Sequence, residues 1–348
     1  MAKENPFVFG KVVTGSRFAD REEETEFIRR QVHSHQNIVL ISPRRYGKTS
    51  LVVTALSGTD YIYVDCSLAD SPESFVEEIL NSAVKGKPVD FVVKEIKKIL
   101  KNIEVTVEFK PFQIKVSNMG QAGLKEVFDY ISKRTVVFDE FQDIVNISPS
   151  FPKKLRSIIQ HQKNSYIFLG SRRHMMEKIF QKQNSPFYNI GAVLRLEKIP
   201  LDKFEHFIIH WFKETKVPLE TQDIKDVLSL TQGHPYYTQH LCNFLWENRI
   251  SGGKKSVEDI LNTILDMNRN FYEMTYSQLT GNQKKALHIA AKETEMFRYE
   301  IITKYRLKTA QNLQKALNSL VRKEILDKNS DYHFVDLFFK KWLLYQTV

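Results

Sequence analysis

The sequence predicts an α/β protein: a parallel β-sheet of the P-loop type covered by helices on both faces, then an α-helical lid, then a winged-helix domain. Three observations predict it. Short apolar runs alternate with amphipathic helical stretches through the first 200 residues, as in a parallel sheet buried on both faces. One run, Ile38 to Ile41, leads into a polar loop ending Gly47-Lys48-Thr49-Ser50. Beyond residue 200 the strand runs stop, and helical spacing continues to a small hairpin pattern near the C-terminus. The expected division is 1–200 for the core with a hairpin insertion around 103–116, 201–277 for the lid and 278–348 for the winged helix.

Bulk properties bound the function. A chain of 348 residues with 42% hydrophobic and 26% charged residues is an ordinary globular composition with room for two or three domains. No apolar run approaches the ~20 residues of a membrane span, and MAKENPFVFG is no signal sequence. Two cysteines, Cys66 and Cys242, lack metal-ligand spacing, so a reducing, cytoplasmic setting without membrane contact is expected. The net charge is +10, and residues 281–348 hold 13 Lys and Arg against 7 Asp and Glu. A basic terminal module suits a polyanionic partner, although basic solvated faces also serve solubility.

In order along the chain, Asn5 to Phe18 is irregular and aromatic. Asp20 and Glu23 form a capping-box pattern that predicts a helix start at Asp20. The segment ahead of it reads either as an arm packed on the core or as an adenine wall made by Val12, Val13, Phe18 and Arg21. Ser42, Pro43, Arg44, Arg45, Tyr46, Gly47, Lys48, Thr49 and Ser50 then form a phosphate-binding loop between a strand and a helix. Its backbone N–H groups and helix dipole face a polyphosphate. Lys48 supplies charge to the β- and γ-phosphates, and the Thr49 hydroxyl is placed for Mg²⁺. Ser42 stands where the consensus begins with Gly. Gly-Lys-Thr alone can be only a helix start; the flanking strand and helix favour the phosphate loop.

Tyr61 to Asp65 reads as a second strand, Pro72 opens a helix behind Ser71, and Val92 to Leu100 reads as a further helix. Alternation from Ile103 to Val116 predicts a β-hairpin, and Gly123 to Ser132 a helix. Thr135 to Phe138 is a strand delivering Asp139 and Glu140, costly to bury unless they face a cation or water. Asp139 takes the metal role and Glu140 the role of base toward an attacking water. Tyr166 to Leu169 ends at Ser171, Arg172 and Arg173. Ser171 is positioned to sense a γ-phosphate. Arg172 or Arg173 either stabilises transition-state charge or pairs with acids and caps a helix. Val193 to Glu197 closes the sheet. All these polar groups follow strands, at the edge where parallel sheets bind ligands.

In the lid, Asp202–Phe212, Ile224–Leu228, Tyr236–Trp246 and Val257–Phe271 read as four helices. The tail reads as three helices followed by a wing, a winged helix-turn-helix. The outward face of its third helix carries Gln311, Asn312, Gln314, Lys315, Asn318 and Arg322. These side chains suit phosphate and base-edge contacts, although winged helices also bind proteins.

The segments SPRRYGKTSL, TVVFDEFQDI, YIFLGSRRHMMEKIF and TQGHPYYTQHLC resemble the archaeal-type AAA ATPases, relatives of the signal-transducing ATPases with numerous domains. NPFVFGKVVTGSRFADREEE and VDLFFKKWLL fit as well, so the resemblance spans essentially the whole chain. It implies an ATPase core, a helical lid and a winged-helix tail, with ATP and Mg²⁺ as cofactors. It also implies the roles given to Lys48, Thr49, Asp139, Glu140 and Ser171. Gly233-His234-Pro235 matches a lid motif, so His234 and Pro235 join the nucleotide-site candidates. His234 stands where AAA relatives often place a sensor arginine, and it either touches phosphate or shapes the loop. The expected function is an ATP-hydrolysing switch whose partner is DNA, another protein or further copies of itself. The alternative is a nucleotide-binding regulator or DNA-binding protein with little turnover.

Overall fold

The structure, a computed structural model, describes residues 4–88, 103–109, 112–119, 122–328 and 331–346. They fall into two compact units, Val12–Glu197 and the combination of Met1–Lys11 with Lys198–Val348.

The first unit contains α1 (Glu22–His33), β1 (Ile38–Ile41), α2 (Lys48–Ala55), β2 (Tyr61–Asp65) and α3 (Pro72–Ala83). After these come the hairpin β3 (Ile103–Phe109) and β4 (Phe112–Met119), α4 (Gly123–Tyr130), β5 (Thr135–Asp139) and α5 (Phe151–Ile159). Last are β6 (Tyr166–Gly170), α6 (Arg173–Phe180) and β7 (Ala192–Arg195). Five parallel strands form one sheet in the order β2-β5-β6-β1-β7. Alternate strand residues enter two separate cores. Val39, Ile62 and Phe138 pack with α3 and α5, through Ile79 and Leu155 among others. Leu40, Val137 and Ile167 pack with α1 and α2 through Ile28 and Leu51. Both faces being covered, the strands read as continuous apolar runs.

Some expectations require correction. Asp20 starts no helix: α1 begins at Glu22 without a side-chain cap, because Asp20 (φ 56°) and Arg21 (φ 81°) are both left-handed. The Arg21 guanidinium drives this turn, being buried and bonded to the Glu24 carboxylate (2.7 Å) and the Glu197 carbonyl. The last strand runs from Ala192 to Arg195, ending before Glu197. The hairpin forms as predicted, pairing Ile103 with Met119 and Phe109 with Phe112. Side chains of α3 serve as a strand partner for β4. Asn81 bonds both Ile114 backbone groups (2.8 and 3.2 Å), and Glu77 accepts from the Val116 N–H (2.7 Å). The helix expected at Val92–Leu100 lies outside the described residues.

The second unit contains α7 (Leu201–Glu214), α8 (Thr221–Thr231), α9 (Pro235–Ile250), α10 (Val257–Met267) and α11 (Arg269–Ser277). It continues with α12 (Gly281–Lys292), α13 (Tyr299–Lys304), α14 (Ala310–Arg322), the wing β8 (Leu326–Lys328) and β9 (Tyr332–Phe334), and α15 (Leu337–Tyr345). The single helix expected over Val257–Phe271 is broken at Asn268, whose side chain closes α10 on the Ile264 carbonyl (2.8 Å). Past the break, Tyr272 of α11 packs against Phe339 and Trp342 of α15. The N-terminal segment belongs to this unit. Asn5 bonds the Asn243 carbonyl and Glu247 (3.0 and 2.8 Å), and Phe9 stacks on His240 at 3.9 Å. Of the irregular N-terminal stretch, therefore, residues 5–9 pack as an arm on the helices.

Candidate nucleotide site

The loop leaves β1 still paired with its parallel neighbour β6: the Ser42 N–H donates to the Gly170 carbonyl (3.3 Å). Its left-handed residues are Arg45 (φ 66°) and Gly47 (φ 86°). Ser42 has no such φ, so the side chain at this position demands no strained backbone. Gly47 caps α2 at its N-terminus. A Cβ placed there would meet only Phe18, at 3.8 Å. The Val13 N–H donates to Ser50 Oγ (2.9 Å). Val13 and Phe18 thus lie beside the loop, whereas Arg21 is committed to Glu24 and the Glu197 carbonyl.

Lys48, the first residue of α2, is 7% exposed. Burial lowers its pKa, opposed by the nearby Glu140 and Asp139 carboxylates, while Arg44 adds to the lowering. β5 carries Asp139 to the same edge. Asp139 Oδ2 accepts from Thr49 Oγ1 (3.2 Å) and from the Tyr63 hydroxyl, and Oδ1 accepts from the Glu140 N–H (2.8 Å). Burial, then the Asp139 charge, pushes the Tyr63 pKa up, so the phenol stays a donor.

Glu140 follows in a left-handed conformation (φ 46°). That is uncommon for a residue with a side chain and turns the chain sharply at the strand end. Its Oε2 accepts from Ser171 Oγ (2.6 Å) and Gln142 Nε2 (2.5 Å). Burial raises its pKa, but Lys48, these two hydrogen bonds and Arg44 outweigh burial and hold the carboxyl below its ordinary value. Gln142 is itself fully buried. Gly170 makes room for it, since a Cβ there would approach its Oε1 to 2.7 Å and Met176 Sδ to 2.2 Å.

Lys48, Thr49, Asp139, Glu140 and Ser171 are thus brought together at the carboxyl edge of the sheet. Both neighbouring arginines have acidic partners. Arg172 pairs with Asp143 (2.9 Å) and Arg173 with Glu177 (3.0 Å). Sequence reasoning missed Tyr63, Gln142 and Asp143. Tyr63 reads as one residue of a strand run, and only the pairing of β2 with β5, Asp65 opposite Asp139, brings its hydroxyl to Asp139. Gln142 and Asp143 sit in a short 3₁₀ helix, Phe141–Asn146, that no apolar spacing announced. Among the described residues no group of three His, Cys, Asp or Glu side chains forms a metal cluster. One hydroxyl and one carboxylate nevertheless suit Mg²⁺, which takes few protein ligands when phosphates supply the others.

His234 and Pro235 lie in the second unit. Gly233 (φ 73°) is pressed against the chain, a Cβ there falling 2.2 Å from the Ile199 carbonyl oxygen. The Ile199 N–H donates to the Gly233 carbonyl (3.0 Å). The His234 ring packs on Tyr237 with centroids 4.5 Å apart, and its carbonyl accepts from Thr238 Oγ1 (2.9 Å). On α14, Gln311, Lys315 and Arg322 are exposed and Asn312 is half-buried. Gln314 donates to the Tyr332 hydroxyl on the wing (2.5 Å), which donates to Asn318 (3.2 Å), tying two of the polar side chains of α14 to β9.

Residues 18–241 match a family described as an ATPase domain predominantly from Archaea. The chain belongs to this ATPase family. Residues 270–345 of this archaeal-type ATPase match a probable winged helix domain. A Walker-type ATPase of Pyrococcus abyssi superposes with a TM-score of 0.69 at 17% identity, covering 97% of this chain and 99% of that one. The ADP form of the Aeropyrum pernix ORC2 protein gives 0.55 at 11% identity, covering 99% and 98%. At these identities the likeness shows the fold. No curated protein matches. The family carries a P-loop ATPase domain and implies nucleotide binding. Among the described residues no helix is long and apolar enough to cross a membrane.

Proposed function

We propose that this chain is an ATP-hydrolysing switch that couples its nucleotide state to DNA through the winged helix. One observation carries the reading: a buried lysine, a threonine hydroxyl, two carboxylates and a serine from three separate segments meet beyond one sheet edge. Each is the residue type that triphosphate chemistry needs. Lys48 is an ammonium whose burial is costly until a phosphate anion offsets it. Thr49 and Asp139 would hold Mg²⁺ beside the β- and γ-phosphates. Mg²⁺, when bound, neutralises charge developing on the phosphoryl oxygens.

Glu140, kept ionised, is the base for an attacking water. Ser171 and Gln142 both donate to its Oε2 and lower its basicity, so transfer of the Ser171 hydroxyl from Glu140 to phosphate would strengthen the base. That exchange is the switching step, local in its cause and two-state in character. The DNA side rests on the exposed face of Gln311, Lys315 and Arg322 and on the basic excess of the tail.

Glu140→Gln tests the reading. Calorimetry of ATP binding together with measured phosphate release should show retained binding and release slowed by ~10²–10⁴-fold. A second reading, a regulator that holds nucleotide with little turnover, is favoured by the two bonds to Glu140 Oε2, which weaken the carboxylate as a base. Equal release by Glu140→Gln and the natural chain would select it.

A further inference from the structure

We propose that the segment leading into α14 is a stacking platform for unpaired bases, built from Phe297 and Tyr299. The inference rests on the reading that the tail binds DNA and adds the form of DNA it selects.

Tyr299 is 80% exposed and Phe297 44% exposed. Neither ring is needed to anchor the segment, since Met296, Ile302 and Leu307 are already its buried residues. Two large rings left in solvent within three positions mark a contact surface rather than core. Both wall a groove of about 450 Å³ with Ile302, Arg306, Lys308 and Thr309. The charged groups lining this groove are two cations, with no carboxylate among them. Glu300, also exposed, follows Tyr299 but is not part of the wall. Phe297 also borders a second cavity, of about 350 Å³, that carries Glu295 and Asp331 with Arg298. A polyanion is therefore drawn to the first groove and away from the second.

The occupant follows from geometry and chemistry. The groove runs into Thr309 and Ala310, the N-cap and first residue of α14, the helix that presents Gln311, Lys315 and Arg322. A strand following that helix reaches the rings with its phosphates beside Arg306 and Lys308. Paired bases are stacked on one another and hide their faces, whereas an unpaired base offers its face to an aromatic ring. Cations beside aromatic rings at the end of a duplex-reading helix fit the point where duplex gives way to single strand. Stacking of this kind strengthens binding on the order of tenfold per base.

The test uses the full chain and two DNA probes of the same sequence, a blunt duplex and a duplex with a short single-stranded tail. A 2-aminopurine is placed in the tail. Anisotropy at one fixed salt concentration should show the tailed duplex bound at least tenfold more tightly, with the 2-aminopurine quenched. Phe297→Ala combined with Tyr299→Ala should abolish the preference and the quenching while leaving blunt-duplex affinity intact. An unchanged unfolding midpoint would confirm that the exposed rings were removed without loss of fold. Lys315→Ala should weaken both probes alike. Blunt-duplex binding without preference for the tail overturns the platform and leaves the DNA reading standing; binding of neither probe overturns both. A preference that survives loss of both rings shows that the single-stranded tail is held elsewhere and overturns the proposal.

Discussion

Gly47-Lys48-Thr49 and Gly233-His234-Pro235 begin alike. Each opens with a left-handed glycine, φ 86° and φ 73°, Gly47 as the N-cap of its helix and Gly233 one residue ahead of the N-cap His234. Their surroundings differ completely. A Cβ at Gly47 would meet one ring edge at 3.8 Å, whereas a Cβ at Gly233 would strike a backbone oxygen at 2.2 Å. The first glycine leaves the N-terminus of α2 open, with a buried lysine beside it. The second brings two backbone segments into contact and exchanges a hydrogen bond across them. Local conformation therefore does not distinguish an open turn, the cradle proposed above, from a packed joint; the neighbours of the missing Cβ do.

Lys48→Ala should produce the largest effect on the cradle. Charge-assisted contacts of ~1.5–3 kcal/mol translate to ATP affinity lower on the order of 100-fold, measured by calorimetry. The unfolding midpoint of the free protein should fall little, because the ammonium removed was itself penalised by burial. Undiminished ATP affinity would show that the cradle binds something else, and the contrast with the joint would lose its meaning.

Gly233→Ala attacks the joint. The clash and the left-handed φ together cost about 3 kcal/mol, visible as a lower denaturant midpoint. Nucleotide affinity of the folded fraction should change far less than with Lys48→Ala. A variant as stable as the natural chain would show that the Ile199 contact yields easily and that Gly233 is no packed joint.

The same distinction explains what the sequence could convey. β1, β2, β5 and β6 were legible because burial on both faces leaves only apolar side chains in a run bounded by polar loops. Lys48, Thr49, Asp139, Glu140 and Ser171 could be grouped from the sequence because each lies beyond a strand, and the structure brings them to one edge of the sheet; their roles toward phosphate and metal are the proposal. Partnerships were not legible. Arg172 and Arg173 read as charge donors or as partners for acids, and only the fold shows Asp143 and Glu177 within reach. The capping box at Asp20 failed because a tertiary demand, the burial of Arg21, overrode a local signal. The break at Asn268 escaped detection because apolar spacing continues through it, from Leu265 to Tyr272, while the core it faces changes.

The smallest effect expected lies within the cradle's own polar network. Lys48, Ser171 and Gln142 hold the Glu140 pKa below its ordinary value of 4.5. The fold therefore favours the ionised carboxyl. Its contribution to stability is complete above the unfolded-state pKa and is lost as pH falls through the folded-state value. In thermal unfolding between about pH 5 and pH 3, the natural chain should lose midpoint more steeply than Glu140→Gln, which lacks this titration. The difference is modest because the side chain is only half-buried, and every other carboxylate titrates equally in both proteins. Parallel curves would mean that the bonds from Ser171 and Gln142 do not hold Glu140 in solution. The base would then already be free, and the exchange proposed as the switching step would have nothing to release.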